Sequence, residues 1–222
     1  MSDAIPPSFR YFITGRSGSG KTSRLLADVL SKVPRVLLVD QTGEWYDRRP
    51  GNGAMDRTEA FDLGETLAAL RRVSHLRRWW LVASLDPEEV EQLRQALMPA
   101  GRLRQGPAVQ LGGLTLCLDE VDRVIGTGPS PLRDLWRRGR HAGISVAAAT
   151  QRIGNVSKEV TSQCDTIGIM AVHDPGDQDY LRSLMGAELA SEALEWANAR
   201  PFNIAYFNPA GGRLDKAEGA AP

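Results

Sequence analysis

Short, continuously apolar runs rich in β-formers recur along the chain, at 10–14 (RYFIT), 35–40 (RVLLVD), 79–85 (WWLVASL), 114–119 (LTLCLD), 144–150 (ISVAAAT), 166–172 (TIGIMAV) and 202–207 (FNIAYF). A strand with one wet face alternates apolar and polar residues; these runs do not, so each is expected to be covered on both faces. Between them the pattern predicts helices at 20–32, 62–75, 86–98, 130–141, 156–163 and 175–197, the third opened by Asp86 as N-cap with Pro87 at the first helical position. This alternation predicts an α/β fold, a mostly parallel central sheet with helices on both faces, whose ligands bind beyond the carboxyl ends of the strands. The stretches 47–56 and 99–107 are rich in Gly, Pro and Arg and are expected as surface loops. The final residues have no periodicity, so the expected organisation is one domain over 1–208 and a flexible tail over 209–222.

Composition changes this picture little. A length of 222 residues suits one domain of α/β size. The formal charge of zero rules out a global basic field, leaving only local patches for a polyanionic partner. Arg occupies 23 positions and Lys only four, which makes Lys21, set among glycines and serines, conspicuous. Cys117 and Cys164 fall inside apolar segments without metal-type spacing and are expected as buried free thiols. No signal peptide opens the chain and no run approaches the length of a membrane span, so a soluble protein of the cytoplasm or a virion is expected.

Candidate chemistry begins at 12–26 (FITGRSGSGKTSRLL). Gly15, Gly20, Lys21 and Thr22 fit G-x-x-x-x-G-K-[ST], with a strand before and a helix after. In such a loop the backbone N–H groups of Gly15, Arg16, Ser17, Gly18, Ser19, Gly20, Lys21, Thr22 and Ser23 curl around a nucleotide's phosphates, at the positive end of the following helix. Lys21 would bridge the β- and γ-phosphates of ATP, and the Thr22 hydroxyl would ligate Mg2+. The run LTLCLDE supplies Asp119 to hold that ion through water and Glu120 to orient and polarise an attacking water. Asp122 reads as a local acid. Thr150 and Gln151 end the neighbouring strand, where an amide can donate to the γ-phosphate and accept from water. Before that strand, Arg133 and Arg137 read as a solvated helix face and His141 as a turn residue. Arg140 is expected near the functional edge of the sheet.

Three stretches together resemble the HerA/FtsK superfamily of P-loop DNA-translocating ATPases: ITGRSGSGKTSRLL, VLLVDQTGEWYD (36–47), and RRGRHAGISVAAATQR running on to VSKEVTSQCDTIGIM. The second matches the family's strand with Asp40, Gly43, Glu44 and the aromatic Trp45. The third matches its arginine, glycine, apolar strand and Thr-Gln-Arg, except that Ile153 stands where the family has Pro. The resemblance implies a RecA-like P-loop NTPase fold, Gln151 as sensor of the γ-phosphate, and Arg140 as a finger acting on the next subunit's nucleotide, with Arg152 as the rival. Glu44 would lie near the nucleotide, or serve only as a turn residue beside a core Trp45. It further implies a homo-oligomeric ring, six subunits in the family, acting on double-stranded DNA. By size the chain resembles viral genome-packaging ATPases, which implies a capsid, portal or membrane protein as partner; Zot-like assembly proteins usually carry a membrane span. The stretches 48–53 (RRPGNG) and 101–106 (GRLRQG) are candidate DNA-contacting loops. Two other classes stay open: a P-loop kinase of a small acceptor, in which a water-activating Glu120 would be counterproductive, and a nucleotide-gated assembly or defence protein that does not translocate.

Overall fold

The computed structural model describes residues 8–46, 48, 56–99, 113–128 and 130–219. Nine strands among them form one sheet: β1 (Arg10–Thr14), β2 (Arg35–Val39), β3 (Asp56–Ala60), β4 (Trp79–Ala83), β5 (Leu114–Leu118), β6 (Ile144–Thr150), β7 (Thr166–Ile169), β8 (Ile204–Asn208) and β9 (Arg213–Ala217). Their spatial order is β3-β4-β2-β5-β6-β1-β7-β8-β9. The first seven run parallel; β8 is antiparallel to β7, and β9 to β8. Seven α-helices among the described residues accompany them: α1 (Lys21–Asp28), α2 (Leu63–Val73), α3 (Pro87–Leu97), α4 (Asp134–Arg138), α5 (Lys158–Ser162), α6 (Pro175–Met185) and α7 (Ala187–Ala199).

The continuously apolar strands are buried on both faces, as expected. In β1, Phe12 enters one core with Leu70, Leu93, Leu181 and Leu194 from α2, α3, α6 and α7. Tyr11 and Ile13 enter the opposite core with Leu25 of α1, Leu30 and Trp45. Each fully buried leucine or phenylalanine contributes about 1.5–3 kcal/mol. Asp86 and Glu89 form the capping box that starts α3, with Pro87 behind Asp86.

Four expectations need correction. The helix expected over 175–197 is two helices, because Gly186 sits at φ 86 and ψ 157, a backbone that an L side chain resists. The helix expected over 20–32 stops at Asp28 and continues as a 3-10 turn, Leu30–Lys32. Strand β3 is not among the expected strands, and its first residue, Asp56, closes the loop expected over 47–56; only Ala60 of its five residues is buried, so it offers no apolar run. Residues 213–217 of the expected tail pair with β8 from Asn208↔Arg213 to Ile204↔Ala217, and Leu214 packs on the core. The expected loops at 47–56 and 99–107 lie, apart from Arg48, Asp56 and Pro99, outside the described residues. Both cysteines are buried and free. Among the described residues no helix is long and apolar enough to cross a membrane.

Candidate active site

Because β1, β2, β5, β6 and β7 are parallel, the segments that follow them leave from one edge of the sheet. Residues 15–20 follow β1 and lean on both neighbouring strands: the Gly15 N–H donates to the Thr150 carbonyl at 3.3 Å and the Arg16 N–H to the Ala171 carbonyl at 2.7 Å. Gly20 has φ 93, and a Cβ there would lie 2.7 Å from Phe202 Cδ1, so this position excludes other residues on both counts. Helix α1 begins at Lys21, directing its free amides and positive end into the loop. Within the loop the buried Ser19 Oγ has no hydrogen-bond partner among the described residues. A small anion fits this cradle.

Lys21, 7% exposed, donates from Nζ to the Arg16 carbonyl at 3.2 Å. Burial pulls its pKa below the ordinary lysine value, while the charges of Glu120, Asp119 and Glu44 oppose that shift. Lys21 thus lies within electrostatic reach of these three carboxylates.

Asp119, 3% exposed at the end of β5, accepts a 2.6 Å hydrogen bond from Trp45 Nε1–H. Trp45 is fully buried, and its loop is shaped by Asp40, whose carboxylate accepts from the backbone N–H groups of Thr42 (2.9 Å), Gly43 (2.8 Å) and Trp45 (3.0 Å). Asp40 thus shapes the loop that carries Trp45, and Trp45, buried as a core residue, holds the Asp119 carboxylate; the signal in the sequence is the spacing Asp40, Gly43, Glu44, Trp45. Glu44 is exposed, with Oε2 3.4 Å from Thr22 Oγ1, beside the phosphate loop rather than remote from it.

Burial lifts the Asp119 pKa from 3.8 to about 6; the neighbouring charges of Glu120 and Asp40 add to the rise and the Trp45 hydrogen bond resists it. A carboxyl whose folded pKa is raised stabilises the fold fully below its unfolded pKa and loses that contribution as pH climbs through the folded one. Asp119→Asn cannot titrate. Without divalent cations, its thermal midpoint should therefore gain on the wild type as pH rises from 4 to 7, measured by thermal unfolding of both proteins; parallel profiles would remove the raised Asp119.

Glu120, 7% exposed, has φ 48, a left-handed backbone uncommon outside glycine. Its carboxylate accepts from the Gln151 backbone N–H at 3.2 Å and from Gln151 Nε2 at 2.7 Å, which ties β5 to β6 at this edge. Asp122 is more than a local acid: Thr150 Oγ1 donates to it at 2.5 Å, and the Arg152 N–H donates to Thr150 Oγ1 at 3.0 Å.

The donor set suits a hard divalent ion shared with phosphate. Among the described residues no three His, Cys, Asp or Glu side chains form a metal site of their own. Magnesium does not need one, since it keeps waters and binds through one or two protein oxygens plus substrate phosphates. The Thr22 hydroxyl and the buried Asp119 carboxylate are the oxygens that could hold such an ion.

The arginines are placed differently from expectation. Arg140 lies in the 3-10 turn Gly139–Ala142 before β6, at the amino edge of the sheet, and pairs with Asp165. The seven residues of β6 separate it from Gln151 by about 20 Å. The expectation that Arg140 lies near the functional edge of its own subunit is thus incorrect, because the turn precedes the strand that carries Gln151 to that edge. Buried Arg10 shapes this turn: it donates to the carbonyls of Trp136, Phe9 and Ile144, and its Nη2 would lie 2.9 Å from a Cβ on Gly139. Arg152 is at the carboxyl edge but is held by Asp174 and Asp177 of the α6 start, at 3.0 Å each. Arg133 and Arg137 both pair with Glu159, at 3.1 and 3.4 Å.

No protein-family model matches the chain, and no curated protein matches it in sequence. Solved structures do resemble it. The genome packaging NTPase B204 from Sulfolobus turreted icosahedral virus 2, in complex with ATP-gammaS, superposes with a TM-score of 0.75 at 16% identity, covering 96% of this chain and 98% of that one. B204, the DNA-packaging ATPase from Sulfolobus turreted icosahedral virus, gives 0.70 at 16% identity, covering 98% and 100%. The pCW3 conjugation coupling protein TcpA, with ATPgS, gives 0.58 at 14% identity, covering 94% of this chain and 59% of that one. At these identities the likeness is one of fold. The chain therefore has the α/β, RecA-like P-loop NTPase fold that these proteins share.

Proposed function

We propose that this chain is a ring-forming, ATP-driven translocase of double-stranded DNA, of the kind that packages a viral or mobile-element genome. One observation carries the reading: at the edge bearing the phosphate loop, Glu120 follows the buried Asp119 and is held by Gln151, within electrostatic reach of Lys21. A carboxylate there serves hydrolysis, because it accepts the proton of an attacking water. In this reading Lys21 and the loop amides bind the β- and γ-phosphates. Glu120 orients the water, and Gln151 links it to the γ-phosphate. Magnesium, held through Thr22 and Asp119, would neutralise charge on the β- and γ-oxygens.

The position of Arg140 at the amino edge supports a finger that acts on a neighbour, since it cannot reach its own loop. Such head-to-tail contacts close into rings, six subunits by the family resemblance. The candidate DNA-contacting loops 48–53 and 101–106 lie, except for Arg48, outside the described residues. Full-length coverage of a packaging NTPase at a TM-score of 0.75 supports packaging over other uses, with a capsid, portal or membrane protein as partner.

The test is turnover without any acceptor. Steady ATP hydrolysis stimulated by duplex DNA, and falling with salt as phosphate contacts are screened, is the expected result. Arg140→Ala subunits mixed with Glu120→Gln subunits should regain turnover, because some interfaces then join an intact arginine to an intact glutamate. Negligible hydrolysis rescued by a nucleoside or sugar, or a protein that stays monomeric with nucleotide and DNA while hydrolysing at full rate, overturns the reading.

A further inference from the structure

Phe202, in the turn between α7 and β8, has φ 65. An aromatic residue adopts this left-handed backbone at a cost, and such residues persist where the surroundings over-determine them, often at ligand sites. The surroundings do so here. Buried Asn203 donates from Nδ2 to the Trp196 carbonyl at 2.9 Å and from its backbone N–H to the Arg200 carbonyl at 3.3 Å. Trp196 Nε1–H in turn faces the carbonyls of Ile204 at 3.2 Å and Ala217 at 3.3 Å, locking α7 to the β8–β9 hairpin.

The strained turn lays an aromatic ring on the phosphate loop. A Cβ on Gly20 would meet Phe202 Cδ1 at 2.7 Å, Phe202 Cε1 at 3.3 Å and Met170 Cε at 3.6 Å. Unlike its neighbours Asn203 and Ile204, Phe202 remains only partly buried. Its side of the loop is informative. Glu120 and Gln151, which define the γ-phosphate end, come from β5 and β6 on one flank of β1; Phe202 precedes β8, beyond β7 on the other flank. A triphosphate with its γ end at Glu120 runs its nucleoside away from β5 and β6, toward that second flank.

We propose that Phe202 is the platform on which the base of the bound nucleotide stacks. The proposal rests on the reading that residues 15–23 bind a triphosphate. A π-face accepts any base, so the platform contributes affinity with little base preference.

The experiment compares wild type, Phe202→Gly and Phe202→Trp, each titrated with ATP and with inorganic tripolyphosphate, which has phosphates but no base. Phe202→Gly keeps a residue at ease with φ 65, so the turn survives; should it fail to fold, Phe202→Leu, apolar but without a π-face, makes the same comparison. The expected result is a loss of ATP affinity of about tenfold or more, the size of one base–aromatic stack, with tripolyphosphate affinity unchanged and Phe202→Trp close to wild type. Equal losses for both ligands mean that the ring only braces the loop, and unchanged ATP affinity means that it touches no base; either overturns the platform alone. A wild type that binds neither ligand overturns the phosphate-loop reading and the platform with it.

Discussion

Glu120→Gln should lower ATP turnover by about 10²–10⁴-fold while leaving nucleotide binding intact. That range is the contribution of a positioned general base. The substitution preserves shape and keeps an oxygen for the Gln151 backbone N–H, which now approaches at 3.2 Å. What disappears is the carboxylate's ability to take a proton from water. Among the described residues its carboxylate accepts hydrogen bonds from Gln151, so the substitution leaves the donors of the phosphate cradle in place. Phosphate release measured against equilibrium binding of a non-hydrolysable analogue separates the two effects. Wild-type turnover in the variant would strip Glu120 of its role and reopen the kinase reading; loss of binding in a folded variant would make the residue part of the cradle instead.

Lys21→Ala should weaken ATP binding by about 10- to 100-fold, the worth of one or two charge-assisted hydrogen bonds, and turnover should fall further. Lys21 is 7% exposed, and the charges of Glu120, Asp119 and Glu44 favour its protonated form. Removing the ammonium leaves an acidic pocket facing an anionic ligand, so repulsion adds to the lost contact. Calorimetric titration of ATP into wild type and variant reads the affinity change. Equal affinities would mean that residues 15–22 are a glycine-rich turn and not a phosphate site.

Much of the site was legible because the chemistry demands particular residues at fixed spacing. Gly15, Gly20, Lys21 and Thr22 announce a phosphate loop by themselves, and Asp119, Glu120 and Gln151 could be placed at its edge once the apolar strands were recognised. The parallel core strands were legible for a related reason, since burial on both faces leaves uninterrupted apolar runs. The edge strands were not: β3 and β9 carry charged residues at most positions and pack on the core through only one or two. Trp45 illustrates a second limit. Its indole hydrogen bond to Asp119 joins residues 74 apart in sequence, and no local pattern reports such a pairing. Arg140 was misplaced for a different reason: the order turn, strand, Gln151 already sets the turn and Gln151 at opposite ends of β6, which the sequence shows once that strand is recognised.

The outermost strands also govern how copies of the chain can meet. Arg57 and Glu59 pair at 3.0 Å along β3, and Arg213 and Asp215 at 2.7 Å along β9, so among the described residues each outermost strand presents opposed charges instead of an apolar ribbon. Charged edge strands resist docking against further strands. Hydrogen-bonded growth of one sheet into the next, the route to fibres and precipitates, is thereby disfavoured at these two strands.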